Sequence, residues 1–391
     1  MFNFFKKSRF SVNFFSPKKS DILIYDQRNS NFIIDYILFD KKFTIYQKNP
    51  EIIYFGLKII LSFIKNIFHF KKIIHFKSFF SKIIFYYRVN IILYMNPKIV
   101  ITYIDNLDSY NMLSRYFINN KNISFIAMQC GARLTSRLNP EKIFFHDHFI
   151  CYGKNEIDLY NKWGHKVENF HPAGSLKCSI VLKNIEPKKV EQKFDICLVS
   201  IWRSMMYKES PDFKDNISDL WYSFDKMNEH IKRYIEEYDL RLCIAMNSKM
   251  GQSYKPVGVI SEEEYFFNIF GDNNNIEMVD YNHKNLSSYF KMIQSDLVIS
   301  TASTLIIEAL ALQKKVIYID YTNNDLHHSV YSDVITHKDN NYKKFKERIN
   351  NLRNESSIEF HNNNKEYFSY LMNSGVPSYE YVRNLIEKLI S

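Results

Sequence analysis

Residues 298–320 read VISTASTLIIEALALQKKVIYID: an apolar run suited to a strand, four hydroxyls (Ser300, Thr301, Ser303, Thr304), then an apolar helix carrying one carboxylate, Glu308. A turn from strand into helix presents unpaired backbone N–H groups and the positive end of the helix dipole, which together suit an anion. Hydroxyls at that turn add donors for phosphate oxygens, whereas ordinary N-capping needs only one of them. Glu308 lies four, five and seven residues after Thr304, Ser303 and Thr301, not the three-residue spacing of a capping box. It is the one charged residue between Leu297 and Gln313, and a carboxylate in such surroundings has to find a partner. Ribose or sugar hydroxyls would serve. The chemistry suggested is the binding of a nucleotide mono- or diphosphate-like ligand, without the glycine-rich loops of the G-x-G-x-x-G or G-x-x-x-x-G-K-[ST] kind, which the chain lacks.

Other strand ends carry candidate groups. Asp105 closes VITYID and is followed by Asn106; such a carboxylate can act as general base toward an acceptor hydroxyl, or cap a helix starting near Leu107. Gln129, Gly131 and Arg133 follow the next strand, where glycine allows close backbone approach and arginine can grip an acidic sugar or phosphate, or stand as a solvated loop charge. Ser175 sits in HPAGSLK, at a hinge. Ser200 and Arg203 end one later strand and Asn247 and Lys249 another. The two cations there can neutralise phosphate charge as a leaving group departs, or be plain loop cations. His146, Asp147 and His148 put two imidazoles on one strand face but offer no third ligand at a recognisable spacing, so no metal is expected. No Ser-His-Asp or Cys-His arrangement supports covalent hydrolysis.

The elements that must hold these groups alternate. DILIYD (21–26), KIVITYID (98–105), ISFIAMQ (123–129) and HFICYG (148–153) suit buried strands, with helices over 52–94, 107–119 and 155–163. After the charged stretch 182–193 the alternation restarts with strands at 195–200, 240–246, 276–281, 296–300 and 315–320 and helices near 218–238, 284–293 and 304–312. Strands separated by helices imply parallel sheets wrapped on both faces. The fold class is therefore α/β with two doubly wound domains, 1–182 and 193–391, and a ligand site at the strands' carboxyl ends, in the cleft between them. A chain of 391 residues has the length for two such cores.

The net charge of +10 comes from residues 41–98, which hold eleven of the 52 basic residues and one acid, Glu51. There Ile53, Leu57, Ile60, Ile64 and Phe68 recur at helical spacing while Lys58, Lys65 and Lys72 recur every seven residues on another face. A basic, aromatic-rich amphipathic helix pair suits an anionic membrane surface; the alternative is a helix packed on its own domain with a solvated lysine edge. No recognition motif points to nucleic acid. Five scattered cysteines fit a reducing compartment, Lys6, Lys7 and Arg9 interrupt any secretory signal, and no apolar run is long enough to span a bilayer.

The segment SDLVISTASTLIIEALALQKKVIYID resembles the donor-site strand, helix and strand of GT-B glycosyltransferases, where a Ser/Thr pair precedes a Glu-Ala-Leu helix. PKIVITYIDN, FIAMQCGAR, FFHDHFICYGKNEIDLYNKWGH and HPAGSLK extend the likeness over roughly residues 96–320. The chain is similar to bacterial transferases of capsule and lipopolysaccharide biosynthesis, distantly akin to CDP-glycerol glycerophosphotransferases and Kdo transferases. That resemblance implies a metal-independent glycosyltransferase with a nucleotide-sugar donor, CMP- or CDP-linked, as substrate and no cofactor. It implies a donor side formed by Ser200, Asn247, Ser300, Ser303, Thr304 and Glu308, and catalytic groups Asp105, Arg203 and Lys249. The acceptor side, Asn106, Gln129, Gly131, Arg133 and Ser175, would take a glycan or lipid-linked acceptor. The expected location is cytoplasmic, peripheral at the inner membrane face. The alternatives on the same architecture are a polyol-phosphate transferase, a nucleotide-sugar epimerase, or a membrane-associated scaffold without activity.

Overall fold

The computed structural model describes residues 10–47, 51–66, 79–118, 122–133, 143–203, 218–248, 259–282, 286–323 and 328–391. Phe68, Lys72 and Lys249 lie outside them. The chain forms two compact units, one made of residues 1–130, 140–176 and 375–391 and the other of 131–139 and 177–374.

In the first unit the strands are β1 (Phe10–Asn13), β2 (Ile22–Asp26), β3 (Phe43–Gln47), β4 (Glu51–Tyr54), β5 (Ile99–Thr102), β6 (Ser124–Met128), β7 (Phe145–Cys151) and β8 (Lys166–Pro172). Six of them form a parallel sheet in the order β3-β2-β5-β6-β7-β8, and β1 and β4 form a separate parallel pair. Every residue of β2 and β5 is buried, as expected of continuous apolar runs in a sheet covered on both faces. Helix Asp108–Phe117 lays Tyr110 on this core, where its ring meets Tyr25 and Phe125 at centroid distances of 5.4 and 5.6 Å.

Two expectations change here. Residues 52–54, read as the start of a helix, belong to strand β4, which is tied to helix Phe79–Met95 by the Tyr87 hydroxyl, which accepts from the Tyr54 amide at 2.7 Å. The β-branched pair Ile52-Ile53 suits the extended backbone. Strands β3 and β8, which the pattern did not reveal, are the edges of the sheet; β8 is only half buried and its polar residues blur the apolar alternation.

The second unit holds β9 (Phe194–Val199), β10 (Leu242–Ala245), β11 (Ile276–Val279), β12 (Ser295–Ser300), β13 (Lys315–Ile319) and β14 (Thr336–His337), all parallel, in the order β11-β10-β9-β12-β13-β14. Counted within the unit this is 3-2-1-4-5-6, the doubly wound order of dinucleotide-binding folds, whose strand sequence reverses between β9 and β12. Helix Ser218–Tyr238 has the expected bounds. Helix Glu262–Phe270 was not anticipated, although Ser261 and Glu264 form a full capping box at its start.

The domain boundaries differ from the expected 1–182 and 193–391. Helix Leu176–Asn184 belongs with the second unit from Lys177 onward, and the last helix, Ser378–Ile390, returns to the first. The return is held by Arg383 on Asp40 at 2.7 Å, by Lys41 on Glu387 at 3.2 Å, and by Arg383 stacked over the Phe39 ring at 4.4 Å. His171 and the Tyr381 hydroxyl add a hydrogen bond of 2.9 Å. Among the described residues no helix is long and apolar enough to cross a membrane.

A buried cation anchors the far side of the second sheet. Lys315 opens β13, is almost fully buried, pairs with Asp296 at 2.9 Å and donates to the Glu355 carbonyl at 2.9 Å, just past helix Tyr342–Asn354. Removing one member of such a pair strands the others. Lys315→Met is expected to cost about 3 kcal/mol in urea unfolding, and a loss below about 0.5 kcal/mol would show that the pair contributes little.

Candidate functional site

At the reversal point of the second sheet, β9 and β12 are adjacent and their outgoing loops diverge. The Ser300 hydroxyl, buried, donates to the Val199 carbonyl at 2.6 Å and pins the two strand ends together. Ser200 is also buried; its hydroxyl accepts from the Trp202 amide at 3.1 Å, and the Asn247 side-chain amide donates to the Trp202 carbonyl at 3.0 Å.

The ends of β9 and β10 rest on a residue that the sequence pattern does not single out. Glu262 is buried and accepts from the Asn247 amide at 2.9 Å, the Ser248 amide at 2.7 Å and the Ser248 hydroxyl at 2.6 Å. Burial raises its pKa, and the donors from Asn247, Ser200 and Ser248 pull it back. In the sequence it is the second letter of Ser-Glu-Glu-Glu, indistinguishable from an ordinary first-turn acid.

The Ser/Thr turn begins with Ala302 in the left-handed region, φ 49°, a conformation that costs a non-glycine residue about 1–2 kcal/mol and ends the strand abruptly. The Ser303 hydroxyl accepts from the Leu305 amide at 3.3 Å. Thr304 is the N-cap residue, yet its side chain makes no cap bond. Its hydroxyl instead accepts from the Ala132 amide at 3.2 Å, and a Cβ on Gly131 would come within 3.0 Å of it. Gly131 and Arg133, expected on the acceptor side, thus belong to the second unit, with the Arg133 guanidinium donating to the Gly131 carbonyl at 3.3 Å. A hydroxyl that accepts from an amide keeps its own proton for another acceptor. Ser303 and Thr304, both half-buried, are in that position, whereas Ser300 spends its proton on Val199.

Helix Leu305–Ala311 has seven residues, so its dipole is weaker than the longer helix expected over 304–312 would supply. Glu308 is buried, and it finds a protein partner: the Tyr289 hydroxyl donates to it at 2.7 Å. The Tyr281 hydroxyl is pushed up to about 12, by burial and then by the Glu308 charge.

One strand over, Asp320 follows β13 as Asp105 follows β5. It is buried and accepts from the Ser329 amide at 2.7 Å and from Thr322, while His328 Nδ1 stands 3.5 Å away and half-exposed. The hydrogen bond of His328 Nδ1 is with the Thr322 hydroxyl, at 3.3 Å, and Thr322 donates to Asp320, so the carboxylate acts on the half-exposed imidazole through that hydroxyl and favours the tautomer protonated at Nδ1. This pair too was missed; the shared ending of VITYID and VIYID was the available signal.

In the first unit the expected groups turn inward. Asp105 is fully buried, accepting from the Cys130 amide at 3.1 Å and the Tyr160 hydroxyl at 3.0 Å. It does not cap the following helix, whose N-cap is Leu107. Gln129 is buried and accepts from the Tyr152 amide at 2.8 Å, and Ser175 is buried, whereas Asn106 is exposed, as is Arg203 of the second unit.

The two histidines of β7 have separate surroundings: the His146 ring lies 5.3 Å from Phe149 and 6.1 Å from Phe144, whereas His148 Nδ1 meets His171 Nε2 at 3.0 Å. Burial, and next the His171 charge, lower His148 to about 4. Asp147 between them accepts from the Phe125 amide at 2.8 Å, and burial pushes its carboxyl up to about 7 against that bond. Among the described residues no group of three or more His, Cys, Asp or Glu is placed to hold a metal.

Neither a protein-family model nor a curated protein sequence matches the chain. Solved structures do. A Listeria monocytogenes protein assigned as a UDP-N-acetylglucosamine 2-epimerase aligns over 95% of this chain and 96% of its own, with TM-score 0.53 and 13% identity. The wall teichoic acid polymerase TagF aligns over 97% of this chain and 88% of its own, with TM-score 0.52 and 11% identity. At such identities the likeness speaks to fold: this is a GT-B architecture of two Rossmann-like, doubly wound parallel-sheet units.

Two measurements probe these ties. Asp147 carries a raised folded-state pKa, so the stability it lends is complete below about pH 4 and is lost as pH rises through about 7. Asp147→Asn cannot ionise; its melting temperature should therefore exceed the parent's increasingly from pH 4 to pH 7.5, and parallel pH profiles would refute the shift. Glu262→Ala leaves two amides and a hydroxyl without their acceptor and is expected to cost about 2–4 kcal/mol in urea unfolding, a value that a merely solvent-facing acid would not approach.

Proposed function

We propose that the protein is a GT-B transferase that takes a nucleotide-linked donor at the carboxyl edge of its second sheet. The observation carrying this reading is that Ser303 and Thr304, at the strand-order reversal, accept backbone amides from Leu305 and Ala132 and so keep hydroxyl protons to donate. In this sheet order, ligands bind at the carboxyl ends beside the reversal. Glu308, its rotamer set by Tyr289, is assigned to a ribose or sugar hydroxyl. Arg203 and Lys249 are assigned to the phosphate charge that develops as the nucleotide leaves.

Proton transfer from the acceptor is assigned to His328 backed by Asp320. Asp105 is less suited to act as general base, because it is buried and both its oxygens accept hydrogen bonds inside its own unit. We keep Asp105 and Gln129 as positioning residues that fix the strand ends of the acceptor-side unit.

The transferred group is a sugar or a polyol phosphate, and the acceptor a glycan or lipid-linked glycan. The polyol-phosphate reading draws on the similarity to TagF, solved also after a CDPG soak, at 12% identity and TM-score 0.50. The epimerase reading draws on the Listeria neighbour. One fold hosts each chemistry, so the product decides.

Purified protein incubated with CMP-, CDP- and UDP-linked donors, with and without a glycan acceptor, should convert one donor class to a transfer product identifiable by mass. An epimer formed without acceptor would replace the transferase reading, and absence of thermal stabilisation by any of these nucleotides would leave only a scaffold. Ser303→Ala with Thr304→Val should weaken donor binding about 100-fold or more, the worth of two charge-assisted hydrogen bonds, while the melting temperature without nucleotide falls only by the smaller cost of leaving the Leu305 and Ala132 amides without those acceptors. His328→Gln should lower kcat about 100-fold or more with KM little changed.

A further inference from the structure

Helix Leu57–Asn66 is inside out. Leu57, Ile60, Leu61 and Ile64 fall at i, i+3, i+4 and i+7, the spacing of a core-facing stripe. Yet Leu57 is 72% exposed and Leu61 and Ile64 are each 57% exposed. The side turned to the protein is instead partly polar. The Ser62 hydroxyl donates to Asn90 Oδ1 at 2.8 Å, and the Asn90 side-chain amide donates to the Ile59 carbonyl at 3.2 Å, with Ile59 buried. The sequence left open whether the apolar stripe packs on its own domain. The structure turns it outward.

A second apolar element adjoins the start of this helix. Phe14 and Phe15, 75% and 79% exposed, follow β1 directly. The Phe55 amide donates to the Asn13 carbonyl at 2.7 Å, and Gly56 lies so close to the Phe15–Ser16 backbone that a Cβ would meet Phe15 C at 3.2 Å. The Phe14–Phe15 turn is thereby fastened beside the start of the helix.

The surroundings are basic. Lys58 and Lys65 are exposed on the same helix, no acid lies within it, and residues 41–98 carry the chain's whole charge excess. An exposed apolar patch of this kind marks an interaction surface. A second copy would bring the same positive charge against it, whereas anionic headgroups would be attracted.

We propose that helix Leu57–Asn66 and the Phe14–Phe15 turn form a docking face for an anionic lipid bilayer. The helix lies in the headgroup plane, Leu57, Leu61 and Ile64 reach the acyl boundary, Phe14 and Phe15 insert beside them, and Lys58 and Lys65 meet the lipid phosphates. The face stands independently of the donor-binding reading.

The test uses the full chain, without nucleotide, cosedimented with vesicles of phosphatidylcholine alone or with about one-third phosphatidylglycerol, a strongly anionic surface. Binding is expected to the anionic vesicles. It should fall at least about tenfold for Lys58→Glu with Lys65→Glu, which reverses two charges worth about 1 kcal/mol each near such a surface. A similar fall is expected for Leu57→Ser with Leu61→Ser. All four positions are exposed, so melting temperatures should match the parent's. Phe15→Trp should give an emission blue-shift with vesicles and quenching by brominated acyl chains. Failure to bind anionic vesicles, or an unquenched indole on bound protein, would overturn the proposal. So would lipid-free self-association abolished by Leu57→Ser with Leu61→Ser while vesicle binding persists. Nucleotide binding, followed separately by thermal shift without vesicles, reports on the transferase reading alone.

Discussion

A parallel strand ends in backbone amides and carbonyls that its neighbours cannot fully pair, and burying such an edge requires side chains to finish the job. Both sheets of this protein meet that constraint with the polar residues that close their strands. In the second unit Ser300 reaches back to Val199, Glu262 gathers the amides after β10, and Asp320 collects those after β13. In the first, Asp105 and Gln129 do the same for the amides of Cys130 and Tyr152. Each such carboxylate or hydroxyl looks, as a letter in the sequence, like a candidate for chemistry.

What separates a tie from a ligand group is the direction of its hydrogen bonds. Ser300 gives its proton to a carbonyl and has none left. Ser303 and Thr304 receive protons from amides and keep their own. Glu308 lies between these cases, buried and engaged with Tyr289 but one turn beyond the turn that holds the two donors. His328 differs in kind, because its carboxylate partner is buried while the imidazole reaches solvent. The epimerase and polymerase neighbours show how little the shared scaffold restricts the reaction.

The basic segment illustrates a different balance. Its charge and its helical apolar period are both plain in the sequence, but they fit equally a helix glued to a core and a helix laid on a surface. The outcome turns on Asn90 and Ser62, one apolar-helix asparagine and one serine whose hydrogen bond seats the polar side inward. Gly56 decides where the Phe14–Phe15 turn sits, through a close approach that no periodicity encodes.

Alternation of apolar runs with helical periods was enough to read two parallel α/β sheets and most of their central strands, because burial on both faces writes itself into consecutive β-branched and aliphatic residues. The hydroxyl cluster and its lone acid were visible for the same reason: polar letters stand out in apolar text. Edge strands β3 and β8 and the helix at Glu262–Phe270 were not, since half-buried elements carry mixed patterns; whether the last helix caps the second unit or crosses back onto the first stayed open, because long-range ion pairs such as Arg383 with Asp40 leave no local trace. Tertiary structure alone decided which of the strand-end residues are occupied, that Gly131 serves Thr304, and that an apolar stripe faces outward. Those are facts about partners distant in the chain, and a sequence records residues without recording whom they meet.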